Sequence, residues 1–347
     1  MFASSLLLSL ASLASAQQRC DVPSPGIFCN STEIIAYETA DCRPYQIFLT
    51  RGSDEPYPGR LGNLTKEICS DIGGKDKCGF ESVVFPAKST AWGPDVWCNS
   101  AGKGAANGQA QMKAYSEKCP DSKLILLGFS QGGAVAQDIL GGGGGKVFAC
   151  EQDVNPAMDA TSAPGSNIIA AVTFGAVVRS RDQNFTIGEG KNYDGQRART
   201  PEQLASLNAY ADVLLDYCHY GDPMCAVGSN PPDVTAHLNY FVEHNDEVKT
   251  WVVKMAKASG GDASGDKPSK PQSGNSSSSA LSASSVSAMP AMTGSATHSS
   301  SAMATATGSS EAKPAQGSTP GNTSAASLLT VTAVYTTLLA MLVAPLL

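Results

Sequence analysis

Residues 123–140 read KLILLGFSQGGAVAQDIL. Lys123 to Gly128 is a short apolar run without polar alternation, as expected of a strand buried on both faces. Gly133 to Leu140 reads as a short helix stopped by the glycine run Gly141 to Gly145. Between them lies Gly128-Phe129-Ser130-Gln131-Gly132, a G-x-S-x-G pentapeptide. Alone it is a weak signal in a chain with 34 glycines. The strand before and the helix after are what such a motif requires, because the serine must stand on a tight strand-to-helix turn. The flanking glycines leave room that Cβ atoms would fill. Ser130 then sits above a sheet, at a helix N-terminus whose N–H groups favour developing negative charge. An incidental serine in a glycine-rich turn is the competing reading, and it explains neither flank.

On either side of this stretch, Tyr45 to Thr50 (YQIFLT) and Glu81 to Pro86 (ESVVFP) read as strands, and Ala105 to Lys118 as a polar-faced helix. Asn167 to Phe174 is a further β-branched strand and Ala211 to Tyr217 a last one. Glu247 to Lys257 places Val248, Trp251, Val252 and Met255 on one face of a closing helix. Strands alternating with helices predict an α/β fold of three layers, α/β/α, with a mostly parallel central sheet and no separate lid domain.

The ends read differently. Residues 1–16 form a signal peptide, with LLLSLASLASA closing on Ala14-Ser15-Ala16 and cleavage expected after Ala16. Residues 17–259 form the folded domain. From residue 260 to 322 the chain is Ser, Thr, Ala, Gly and Pro, a composition that cannot offset its ordering entropy and suits an O-glycosylated stalk. Residues 323–347, with the apolar tail 328–347, read as a glycosylphosphatidylinositol signal, with Asn322, Gly321 or Gly317 as attachment site. A plain C-terminal membrane helix is the alternative. On the first reading the mature protein is held at the cell surface by a lipid anchor and lacks a membrane span.

All ten cysteines fall in the folded part, and in a secreted chain disulfides are the default. There is no H-E-x-x-H and no close cysteine pair with histidines at finger spacing, so no metal is expected. Asn30, Asn63 and Asn184 head glycosylation sequons. A net charge of -7 without a basic cluster argues against nucleic acid.

A serine at its ordinary pKa needs a base. Of the four histidines, His298 falls in the stalk, leaving His219, His237 and His244, all after Ser130. Asp212, Asp216, Asp222 and Asp233 are the candidate acids. The order Ser, acid, His, the turn Gly221-Asp222-Pro223 and the loop-to-helix junction at His237 favour Asp222 and His237 only modestly.

These residues carry a resemblance. Cys42 with a strand ending in Thr50-Arg51-Gly52-Ser53, then Cys119-Pro120, Gly128 to Gly133, Cys218, Gly221-Asp222, Cys225 and His237 together resemble the cutinase and acetylxylan esterase family. The likeness runs from about Cys42 to Lys257. It implies a secreted α/β-hydrolase with a triad of Ser130, His237 and Asp222, and an oxyanion hole from the N–H groups of Gln131 and Ser53. The Ser53 hydroxyl would add a donor. It also implies disulfides Cys42–Cys119 and Cys218–Cys225, and needs no cofactor. Cys20, Cys29, Cys69, Cys78, Cys98 and Cys150 are left unpaired by it. The segment Cys20 to Cys42, the Gly141 to Gly145 run and the stretch Cys150 to Asn167 have no counterpart in the resemblance.

The loop from Ala226 to Thr235 is mostly polar, with Gly228-Ser229-Asn230 closer to acetylxylan esterases than to cutinases. A long acyl chain gains about 0.8 kcal/mol per buried methylene only where apolar surface receives it. The expected reaction is therefore hydrolysis of short acetyl esters on a polysaccharide, by a monomer, with aliphatic polyesters as the alternative substrate. Trp92 and Trp97 could stack on sugar rings or pack in a disulfide-braced core. A reading of another class is a non-catalytic, anchored wall or adhesion protein on the same fold; the intact set of Ser130, Asp222, His237 and Ser53 speaks against it.

Overall fold

The computed structural model describes residues 32–260 and 268–271. The signal peptide, Cys20, Cys29, Asn30, His298, Asn322, the apolar tail and all of the stalk except residues 260 and 268–271 lie outside the described residues.

In chain order the elements are α1 (Thr32–Ile35), β1 (Tyr45–Thr50), α2 (Leu61–Ile72), β2 (Cys78–Ser82), α3 (Val96–Lys118), β3 (Lys123–Phe129), α4 (Gln131–Gly141), β4 (Gly143–Val147), β5 (Cys150–Asn155), β6 (Ile168–Phe174), β7 (Thr186–Ile187), α5 (Pro201–Asn208), β8 (Leu214–Tyr217), α6 (Val234–Leu238), α7 (Tyr240–Glu243) and α8 (Asn245–Ser259). Six strands form one sheet in the order β2-β1-β3-β6-β8-β7, every neighbouring pair parallel. Alternate residues of its strands enter different cores. Ile47, Leu49, Ile125 and Leu127 pack with Leu64 and Ile68 of α2 and Val248 and Val252 of α8. Phe48, Leu124 and Leu126 pack with Met112 of α3 and Val135 and Ile139 of α4. Helices on both faces explain why β3 is apolar from Leu124 onward instead of alternating. The result is the three-layer α/β/α arrangement.

Three local readings need correction. The second strand is Cys78–Ser82, earlier than ESVVFP suggested. Tyr45 pairs with Cys78 and Leu49 with Ser82, so the sheet ends before Val84. Phe85 is buried as a loop residue under the Arg51 guanidinium. Helix α3 begins at Val96, nine residues before Ala105. Its first turns hold glycines that lower helix propensity but permit close packing: a Cβ on Gly104 would lie 3.0 Å from Val135 Cγ1 of α4. The glycine run caps α4 at Gly142 and then continues as β4, paired antiparallel with β5. Disulfide Cys98–Cys150 ties that hairpin to α3, and Cys69–Cys78 ties α2 to β2. Cys42–Cys119 and Cys218–Cys225 are the other two bonds among the described residues.

A fully buried ion pair sits where β6 and β8 meet the loop after β6. Arg179 Nε donates to Asp216 Oδ2 at 2.6 Å, and Thr173 Oγ1 donates to Asp216 Oδ1 at 2.7 Å. Arg179 Nη1 also donates to the carbonyls of Tyr193 and Cys225. Removing one partner strands the other charge in an apolar interior. Arg179→Ala is expected to cost about 3–5 kcal/mol of unfolding free energy, read from the shift of a denaturant melt. Arg179→Met paired with Asp216→Leu should recover much of that loss.

Candidate active site

The chain enters the sheet at β1, adds β2 on one side and returns to add β3 on the other. The carboxyl ends of β1 and β3 therefore flank a topological switch point, where open α/β sheets place ligands. Thr50 pairs with Gly128 there, which sets the Gly52-Ser53 loop beside the Ser130 turn. Gly132 makes the approach workable: a Cβ on it would lie 1.9 Å from the Thr50 carbonyl oxygen.

Ser130 has φ 56° and ψ −119°, a strained conformation for a non-glycine residue. Its N–H donates to the Phe174 carbonyl at 2.9 Å, and its own carbonyl accepts from Ala134 N–H. The turn is thus locked between β6 and α4, and Ser130 Oγ lies 3.0 Å from His237 Nε2. His237 Nδ1 is 2.9 Å from Asp222 Oδ2 and 3.0 Å from Oδ1. A carboxylate only accepts, so Nδ1 carries the proton and Nε2 offers its lone pair to the serine. Asp222 is fully buried and also accepts from Tyr240 Oη at 2.6 Å and Met224 N–H at 2.7 Å. Burial would raise its carboxyl. The electrostatic pairing with His237, with the hydrogen bonds from His237, Tyr240 and Met224, outweighs burial and holds Asp222 below the ordinary carboxylate range. Burial first, then the Asp222 charge, pushes the Tyr240 phenol well above its ordinary value, so it stays a donor.

Gln131 is the first residue of α4, where the N–H has no partner within the helix. Its buried side chain accepts from Ser100 Oγ and donates to the carbonyls of Lys88 and Trp97. The Gly52-Ser53 loop is braced by Glu55, which accepts from Gly52 N–H at 3.0 Å and pairs with Arg60 at 3.1 Å. Burial, opposed mainly by Arg60, raises the Glu55 carboxyl. Lys88 lies 3.8 Å over the ring of Trp92, whose Nε1–H donates to Asp54 Oδ1 at 2.8 Å. Trp92 is 61% exposed, whereas Trp97 is a core residue at 3%, so only Trp92 offers a ring to the surface beside Ser53.

The other sequence candidates go elsewhere. Asp216 is engaged by Arg179, and Asp233 caps α6 through Thr235 N–H. His219 and His244 face each other, Nε2 to Nε2 at 2.8 Å. Asn63 is half-buried in α2 and bonds Glu67, while Asn184 is exposed. Three residues that serve the site gave no sequence signal: Tyr240, Glu55 and Gly175. At φ 57°, Gly175 holds its backbone against the site, and a Cβ there would lie 2.9 Å from His237 Nδ1.

The parallel sheet, with the Ser130 turn at its switch point, is an α/β fold shared with proteins named as ester hydrolases. The acetylxylan esterase of Hypocrea jecorina is 25% identical over 193 residues, 54% of this chain and 60% of that protein. Cutinase 11 of Verticillium dahliae is 24% identical over 226 residues, 64% of this chain and 72% of that one. The solved catalytic core domain of an acetyl xylan esterase from Trichoderma reesei shares the fold, with TM-score 0.50 and 22% identity over 61% of this chain and 98% of that chain. The match spans less than two thirds of the Hypocrea protein. The cutinase family model matches residues 41–256; the chain belongs to the cutinase family.

Proposed function

We propose that the chain is a secreted esterase that removes acetyl groups from a polysaccharide such as acetylated xylan, through an acyl-enzyme on Ser130. The observation that carries the mechanism is the unbroken hydrogen-bonded run from Ser130 Oγ through His237 to buried Asp222. His237 takes the hydroxyl proton as Ser130 attacks the ester carbonyl, and Asp222 orients and stabilises the imidazolium. The N–H groups of Gln131 and Ser53 receive the oxyanion. Collapse expels the sugar alkoxide, which takes the proton from His237. Water then attacks the acetyl-enzyme with His237 again as base, releasing acetate and restoring Ser130.

Substrate choice rests on the rim. The Asp222-to-His237 loop exposes Val227, and Tyr220 just before it is exposed as well, but the centre of the loop is polar and tied down: Ser229 Oγ accepts from Gly221 N–H and donates to the Ala226 carbonyl. Such a wall offers little apolar surface to a long chain, while Trp92 presents a ring of the kind that stacks on sugars. Residues 17–259 would form the catalytic unit, with 260–322 as stalk and 323–347 as a lipid-anchor signal joined at Asn322, Gly321 or Gly317. Among the described residues no helix is long and apolar enough to cross a membrane.

The test is hydrolysis of p-nitrophenyl esters from acetate to palmitate, followed by acetylated xylan. kcat/KM is expected to be highest for acetate and to fall about tenfold or more by octanoate, with acetate released from the polymer. A maximum at butyrate or longer would move the assignment to aliphatic polyesters.

A further inference from the structure

Tyr240 has a second neighbour on the side away from the triad. The His219 ring stacks on it with centroids 4.1 Å apart, and His219 N–H donates to Tyr240 Oη, the same oxygen that donates to Asp222. His219 Nδ1 lies 2.8 Å from the Ala236 carbonyl oxygen. That oxygen only accepts, so Nδ1 is protonated and Nε2 of the neutral ring carries a lone pair. His244 is held the same way: its Nδ1 faces Glu247 Oε2 at 3.3 Å, and its ring packs on Tyr217 with centroids 4.8 Å apart. The two Nε2 atoms nevertheless approach to 2.8 Å. Two lone pairs at that separation repel unless a cation lies between or beside them. Glu243 Oε2 completes the group 3.5 Å from His219 Nε2, and one ligand atom from each of the three residues lies within 4.8 Å of the others.

We propose that His219, His244 and Glu243 form a zinc-type divalent metal site directly behind the acid of the triad. Two imidazoles and one carboxylate are a donor set suited to Zn²⁺, with water in the fourth position. Each imidazole already has its other nitrogen fixed by an acceptor, the outer hydrogen bond that metal-bound histidines use. At tetrahedral bond lengths two imidazole nitrogens stand roughly 3.3 Å apart, so the rings need open by only about 0.5 Å. Glu243 and Glu247 supply the negative charge that balances the ion. The ligands come from the disulfide loop after β8 and from the junction of α7 with α8, so the ion would pin together the two segments that present Asp222 and His237. It would take no part in the ester chemistry.

The test uses the full chain, freed of metal by chelator and titrated with ZnCl₂ in a calorimeter and with Co²⁺ in a spectrometer. The expected result is one Zn²⁺ per chain with a dissociation constant in the micromolar range or tighter. Co²⁺ should give the intense visible absorption of a four-coordinate site. At a hundredfold excess over that constant, Tm should rise by about 5–10 °C. His219→Gln and His244→Gln should each weaken binding by about 100-fold, and the exposed Glu243→Gln, which carries little risk to folding, by about tenfold. His237→Asn should leave Zn²⁺ binding intact. Absence of binding up to millimolar Zn²⁺ would overturn the proposal and leave a proton shared between the two rings. Binding that survives all three ligand substitutions, or that is lost in His237→Asn, would also overturn it.

Discussion

Ser130→Ala is expected to lower kcat on p-nitrophenyl acetate by about 10⁵–10⁶-fold, the scale on which removal of a triad nucleophile acts. The substitution deletes one oxygen from a side chain whose Oγ contacts only His237 among the hydrogen bonds described. The backbone that strains the turn is held independently, through Phe174 and Ala134. The folded chain should therefore persist with KM little changed. Stability should be unchanged or slightly raised, because alanine at φ 56° bears no more strain than serine. Steady-state kinetics with a denaturant melt of the same preparation separates these effects. A fall of less than about tenfold would remove Ser130 from the nucleophile's place.

Asp222→Asn is expected to lower kcat by about 10⁴-fold with the fold intact. The reason lies in the donors around the carboxylate. Met224 and Cys225 N–H groups point at Oδ1, so an amide there keeps its carbonyl oxygen toward them. Its NH₂ then occupies the Oδ2 position and faces His237 Nδ1, which must become an acceptor. The proton moves to Nε2 and points at Ser130, leaving no base. The Tyr240 hydroxyl, which donates to Oδ2 at 2.6 Å, loses its acceptor as well, so Tm should also fall. The check is kcat against KM for the variant, with Asp222→Ala as companion. A variant within tenfold of the parent would show that Asp222 does not set the imidazole tautomer.

The elbow was legible because its signals are local. An apolar run, a tight glycine-flanked serine and a helical segment follow one another within 18 residues, and β3 and α4 form where that run places them. Asp222 and His237 were harder to single out from the residues alone. What removes Asp216 from candidacy is Arg179, 37 positions away, and what occupies His219 is His244, 25 positions away. Such pairings are tertiary facts. Tyr240 and Glu55 were silent because a buried tyrosine and an acid near two arginines read as core and surface. The start of α3 and the strand β4 were hidden by glycines, which lower propensity for both elements. In the fold those glycines serve close packing and a hairpin braced by Cys98–Cys150.

Covalent capture reads out directly whether Ser130 is the nucleophile. The chain would be treated with a p-nitrophenyl alkylphosphonate, digested and read by mass spectrometry. One adduct per chain is expected, on the peptide containing Gly128-Phe129-Ser130-Gln131-Gly132, formed in step with loss of esterase activity and absent from Ser130→Ala. An adduct on another residue, or full inactivation with Ser130 unmodified, would contradict it.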